Sequence, residues 1–141
     1  PRAPDKRNVY HLCMISVTCA IIRKNGLILA AQRPADSHLA GKWEFPGGKL
    51  DRNETEEACI VREIREELGL DVQPARRLQP STHDYGEKVI RLIPFECEVV
   101  SGDPVAHEHA AIKWVAPADL DELNWCEADI PIVEQIKRAS H

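Results

Sequence analysis

Two apolar runs meet across Asn25-Gly26: VYHLCMISVTCAIIR, Val9 to Arg23, rich in β-branched residues, and LILAAQR, Leu27 to Arg33. Asn-Gly between such runs is a strong short-range sign of a β-hairpin, because the favoured two-residue turn needs positive φ at both central positions. PADSHLAGK then reads as loop, WEF as a short strand, and PGG (Pro46 to Gly48) as a tight turn. Asn53 or Thr55 can cap a helix that runs to about Leu68, where Gly69 ends it as a C′ residue. On this helix Ala58, Val61, Ile64, Arg65 and Leu68 share one side and Glu63, Glu66 and Glu67 the other. Leu70 to Pro80 reads as a short strand and loop. VIRLIPFECEVV (Val89 to Val100) and AAIKWV (Ala110 to Val115) are two further strands, with Pro94 marking an edge or a bulge in the first. PADLDEL suggests a short helix and IPIVEQIKRA a longer one, with Pro131 in its first turn. No repeat or low-complexity segment interrupts the pattern. The prediction is one α/β domain over residues 9–141, a mixed β-sheet with helices on its faces, behind a loose polar tail at residues 1–8.

The chain has 141 residues, enough for one domain with a real core. It starts at Pro1 rather than Met, so the native terminus is not legible. No apolar run approaches 18 residues and no secretory signal opens the sequence, so a soluble, cytoplasmic protein without membrane contact is expected. Five cysteines (Cys13, Cys19, Cys59, Cys97, Cys126) are odd in number and widely spaced, with no CxxC pair. Buried reduced thiols are the expectation. The net charge is -5, and Gly48 to Leu70 alone, with seven acids against Lys49, Arg52, Arg62 and Arg65, carries -3 of it. Acidity this concentrated argues against stable nucleic-acid binding, which needs a basic stripe.

Glu63 and Glu67 are four residues apart and Glu63 and Glu66 three apart, so like charges become helix neighbours at roughly 0.2 to 0.5 kcal/mol per pair. They also fall near the helix C-terminus, where the macrodipole disfavours negative charge. Divalent cations would remove both penalties. Oxygen-only ligands select hard ions, Mg²⁺ or, as a substitute, Mn²⁺. Composition alone also fits an acid-rich face that is merely solvated.

Spacing decides between these readings. Gly48, Glu54, Arg62, Glu63, Ile64, Glu66, Glu67, Gly69 and Leu70 match G-x5-E-x7-R-E-U-x-E-E-x-G-U at every fixed position, U being a bulky aliphatic. In this the chain resembles the Nudix hydrolases. The resemblance implies the Nudix fold, a mixed sheet sandwiched between helices, and attack of a metal-activated water on a diphosphate. It implies that Glu63, Glu66 and Glu67 hold the metal with the main-chain carbonyl of Gly47. Arg62 would orient its neighbouring glutamates, with Glu54 as its ion-pair partner.

Outside the box, AQRP, GKWEFPGGK and ADIPIVEQI are similar to the MutT type, and AHEHAAIKWVAPADL with ADIPI to its NudG-like branch, pyrimidine-preferring nucleoside triphosphate pyrophosphohydrolases. That resemblance implies a further metal carboxylate at Glu108, nucleotide contact at Arg33 and a base-pocket wall at Phe45. Each has an ordinary alternative: a loop glutamate, a strand-ending arginine and a core aromatic. His107 and His109 flank Glu108 in an H-x-H pattern, which reads as hydrogen bonding or surface rather than zinc because no further ligands cluster nearby. Trp125 and Tyr85 are weaker candidates for stacking. Asp129 departs from the guanine-specific enzymes, where the matching residue is Asn. An ionised Asp only accepts hydrogen bonds, which suits the exocyclic amine of cytosine. A protonated Asp129 would regain a donor and readmit 8-oxo-dGTP, and the residue can equally cap the last helix. The expected activity is hydrolysis of (deoxy)nucleoside triphosphates to NMP and pyrophosphate, in nucleotide-pool sanitation, by a monomer or homodimer. ADP-ribose or dinucleoside polyphosphate hydrolysis, and a non-catalytic binding module, are the alternatives.

Overall fold

The computed structural model describes residues 14–139; the expected tail, the start of the first predicted strand and Cys13 lie outside them. The chain runs β1 (Met14–Lys24), β2 (Leu27–Gln32), β3 (Trp43–Glu44), β4 (Gly47–Lys49), α1 (Glu56–Leu68), β5 (Asp71–Arg77), β6 (Ser81–Asp84), β7 (Val89–Ser101) and β8 (Ala111–Val115). Two 3₁₀ turns, Pro117–Glu122 and Glu127–Asp129, then lead into α2 (Ile130–Ala139). The predicted hairpin forms, with Arg23 opposite Ile28 and positive φ at Asn25 and Gly26.

All eight strands belong to one mixed sheet. β1 and β7 pair in parallel from Met14↔Val89 to Arg23↔Glu98, and the other ladders are antiparallel. Residues in β1 and β2 alternate between two apolar layers. Cys19, Ile21, Ile28 and Ala30 join Ile132, Val133 and Ile136 of α2. Ala20, Ile22 and Leu29 join Ile60, Ile64 and Leu68 of α1. Covering both sheet faces explains why these strands read as continuous apolar runs rather than alternating ones. The sheet is therefore sandwiched between helices, as expected. Ile64 is wholly buried in the α1 layer. Ile64→Ala is expected to cost about 3 kcal/mol and lower the melting temperature by about 10 °C, read by thermal denaturation.

Four expectations need correction. PGG is no mere turn: Gly47–Lys49 forms β4, pairing Gly47 with Cys19, Gly48 with Thr18 and Lys49 with Val17. β2 leaves that half of β1 open, since its ladder with β1 spans only two residue pairs. Pro94 marks neither an edge nor a bulge, because β7 is a central strand. It sits where the outer neighbour changes, β6 pairing as far as Leu92 and β5 from Phe95. The polar strand β6 was not anticipated; STHD carries no apolar alternation. Finally, the buried face of α1 is Cys59, Ile60, Ile64, Glu67 and Leu68, while Ala58 and Arg65 are exposed. Glu67 thus lies on the core side of the helix rather than opposite it.

The four described cysteines are buried and unpaired. No helix among the described residues is long and apolar enough to cross a membrane.

Candidate active site

Helix α1 begins where the Thr55 hydroxyl accepts from the Ala58 N–H at 3.1 Å, so Thr55 rather than Asn53 is the cap. It ends at Gly69, whose positive φ a non-glycine residue rarely adopts. Arg62 leaves the helix as a hub. Its Nε and Nη2 donate to the two oxygens of Glu54 at 2.7 and 3.0 Å, a bidentate fork. Nη1 donates to Glu63 at 2.8 Å and reaches Glu66 at 3.3 Å. The guanidinium holds Glu54 down to about 2, and Glu54 in turn raises the pKa of Arg62.

The acids step from core to solvent around the helix. Side-chain exposure is 7% at Glu67, 17% at Glu63 and 57% at Glu66. Burial, then the charges of Glu63 and Glu44, then a hydrogen bond shared with the Glu63 carboxylate, pushes the Glu67 carboxyl up to about 9, with Glu108 adding a smaller contribution. Its Oε2 is buried without a hydrogen-bond partner. The last helix carbonyls are capped by the loop before β8: Val105 N–H donates to Leu68 at 2.9 Å and His107 N–H to Glu67 at 3.1 Å. This docking brings the exposed Glu108 and the covered side chain of His109 to the acidic end of α1. His109 Nε2 lies 2.9 Å from Glu44 Oε2 and 3.7 Å from Glu67 Oε1. Glu44 Oε1 accepts from Arg33 Nη1 at 3.0 Å, and Arg33 Nε donates to the His38 carbonyl at 2.6 Å.

Beside this end of the helix opens a cavity of about 270 Å³, lined in part by Arg33, Glu44, Phe45, Gly47, Gly48, Lys49, Tyr85, Lys88 and Asp129. Phe45 is both wall and core: it is buried and stacks on Trp125 with ring centroids 4.6 Å apart. Asp129 Oδ2 accepts from the Phe45 N–H at 2.9 Å. Burial raises the Asp129 pKa well above the ordinary value, against the opposing effect of that hydrogen bond. Tyr85 lines the cavity and its hydroxyl accepts from the Ala128 N–H. Trp125 instead lies in the core, donating to the Leu120 carbonyl.

A sequence profile of the NUDIX domain matches residues 17–135. The chain belongs to the Nudix family. It is 39% identical over 121 residues to the CTP pyrophosphohydrolase of Escherichia coli (strain K12), covering 86% of this chain and 90% of that one. The 8-oxo-dGTP diphosphatase of the same organism is 31% identical over 125 residues, covering 88% of this Nudix chain and 97% of the relative. Among solved structures, the MutT protein from Methanosarcina mazei Go1 superposes with a TM-score of 0.80 at 27% identity, covering 90% of this chain and 95% of that one.

In this Nudix chain Arg62 joins Glu54, Glu63 and Glu66 directly, and the charges of Glu63, Glu44 and Glu108 act on Glu67. Arg33, Phe45, Gly47 and Asp129 share the cavity wall. Among the described residues no three Asp, Glu, His or Cys side chains form a ready cation cage; Nη1 of Arg62 engages both Glu63 and Glu66. The donor set nonetheless fits a hard divalent cation. A buried carboxylate oxygen without a partner, in the field of three other acids, is stabilised by such an ion. Gly48 makes room for the carboxylate of Glu63, which a Cβ would approach to 2.2 Å. Sequence reasoning missed Glu44, Lys49 and Lys88. Glu44 sits inside the quoted GKWEFPGGK stretch, but only the crossing of β3 toward the β8 loop shows that it faces both Arg33 and His109.

Proposed function

We propose that this Nudix chain hydrolyses (deoxy)nucleoside triphosphates to the monophosphate and pyrophosphate with Mg²⁺, or Mn²⁺ in its place, and favours cytosine nucleotides in cytoplasmic nucleotide-pool sanitation. The observation that carries this reading is the shared wall between cavity and acidic helix end. Gly47, Gly48 and Glu44 line the cavity, while Gly48 abuts Glu63 and Glu44 acts on Glu67. A base seated against Asp129 would therefore extend its phosphates toward the carboxylates.

In this proposal Glu63, Glu66, Glu67, Glu108 and the Gly47 carbonyl hold the cation. Bound there, Mg²⁺ lowers the pKa of a water and offsets charge on the leaving pyrophosphate. Arg62, clamped by Glu54, keeps Glu63 and Glu66 in register; Arg33 steadies Glu44 at the cavity rim. Asp129 and Glu44 supply acceptors for the cytosine amine.

One observation favours 8-oxo-dGTP as a second reading. The raised Asp129 pKa favours the protonated carboxyl, which offers a donor as well as an acceptor. Steady-state assays of pyrophosphate release from CTP, dCTP, 5-methyl-dCTP and 8-oxo-dGTP separate the two. The expected result is a kcat/KM at least about tenfold higher for a cytosine nucleotide, the discrimination that one lost buried hydrogen bond supplies. The reverse order selects the second reading, and inactivity on all four rejects both.

A further inference from the structure

We infer that His109 is a positioning residue, bridging Glu44 at the cavity rim and Glu67 at the acidic helix end so that Glu67 presents its free oxygen to the cation. This inference rests on the proposed cation-dependent hydrolysis.

His109 is an unusual residue to bury. Its side chain is 5% exposed, and its Nδ1 has no hydrogen-bond partner. A buried imidazole with one unpartnered nitrogen is a poorer core residue than an aliphatic side chain of similar size. The polar surroundings of its other nitrogen explain the choice. Nε2 faces two carboxylates, at 2.9 Å from Glu44 Oε2 and 3.7 Å from Glu67 Oε1. Only Glu44 is within hydrogen-bond distance, and its oxygen, already facing Nε2 at 2.9 Å, is matched by the tautomer that carries the hydrogen on Nε2. Glu44 is already anchored by Arg33 on its other oxygen. The sequence Arg33, Glu44, His109, Glu67 thus forms a chain of contacts from the cavity wall to the acidic cluster. The contact with Glu67 is to its Oε1; the buried Oε2 has no hydrogen-bond partner.

Such outer partners of a metal carboxylate set its orientation, and their loss typically costs about 10- to 100-fold in metal affinity or activity. The loop before β8 is held at both sides of His109 by its own backbone: His107 N–H donates to the Glu67 carbonyl and Ala110 N–H to the Gln32 carbonyl. Replacing the imidazole therefore leaves the β8 loop docked.

The test compares His109→Leu, His109→Gln and His109→Asn with the unaltered chain. Mn²⁺ binding is titrated by calorimetry without nucleotide, and kcat and KM for dCTP are measured with melting temperature. The Gln amide reaches about as far as Nε2, whereas the Asn amide reaches only as far as Nδ1. The expected result for Leu is a melting temperature no lower than wild type, Mn²⁺ affinity and kcat reduced about 10- to 100-fold, and KM little changed. Gln is expected to recover most of both losses and Asn little of either. Wild-type Mn²⁺ affinity in a folded Leu variant would overturn the inference. So would equal behaviour of Gln and Asn, which also decides the matter if the Leu variant does not fold. A wild-type chain that binds Mn²⁺ but hydrolyses no triphosphate defeats the proposed function instead, and the Mn²⁺ titrations of the variants still judge His109.

Discussion

Glu67→Gln is expected to lower turnover of the preferred triphosphate at least about a hundredfold while leaving melting temperature at pH 7 unchanged or higher. Glu67 is buried, and that burial, then the charges of Glu63, Glu44 and Glu108, pushes its folded pKa up to about 9 from an ordinary 4.5. Without a divalent cation the neutral acid is the stable form at neutral pH, and a Gln amide reproduces its shape without its charge. The contribution of that neutral form to stability is full below pH 4.5 and is lost as pH rises through about 9. Between those values the folded chain holds a proton that the unfolded chain has released, so stability falls with rising pH. The cation-free wild type should show this decline in denaturant titrations, and the Gln variant should lack it. A cation replaces the proton, so Mg²⁺ binding at pH 7 should release about one proton per site, seen as a buffer-dependent calorimetric heat. The Gln variant should release none. An unchanged turnover in Glu67→Gln would remove Glu67 from the catalytic machinery.

Gly47→Ala and Gly48→Ala, adjacent and chemically identical changes, are expected to fail in different ways. A Cβ on Gly47 would lie 2.0 Å from the Thr18 carbonyl oxygen and 2.7 Å from the Cys19 Cα. Both atoms belong to the backbone of β1, which is paired with β7 along ten residues. They cannot yield without parting β4 from β1, so a loss of about 3 kcal/mol or more is expected, read from the urea midpoint. A Cβ on Gly48 would meet the Glu63 carboxylate at 2.2 Å. That group ends a flexible side chain and can swing aside. Gly48→Ala should therefore keep its midpoint within about 1 kcal/mol and lose activity, about a hundredfold if Glu63 serves as proposed. Equal stability losses in both variants would contradict this division.

The hairpin at Asn25-Gly26, the limits of α1 and the Pro131 start of α2 were all legible from local chemistry, because turn geometry and helix ends depend on residues a few positions apart. The nine box positions were legible for a similar reason. Gly48 through Leu70 is one continuous segment, and helical spacing alone draws Arg62, Glu63 and Glu66 together.

What stayed hidden required elements distant in the chain to meet. Ile60, Ile64 and Glu67 share one side of α1 at helical spacing, but only the packing of that side against the sheet shows that it is the buried one and raises the Glu67 pKa. PGG reads as a turn until the vacant half of β1 recruits it as β4. Glu44 and His109 are 65 residues apart, and their contact depends on the β2 ladders that hold β3 and β8 on either side. Asp129 lies beside Phe45 only because the 3₁₀ turn before α2 packs into the cavity wall. Short-range preferences are energies of one residue and its near neighbours, so the chain discloses them directly. Burial and the fields between remote charges arise only when the sheet brings those charges together.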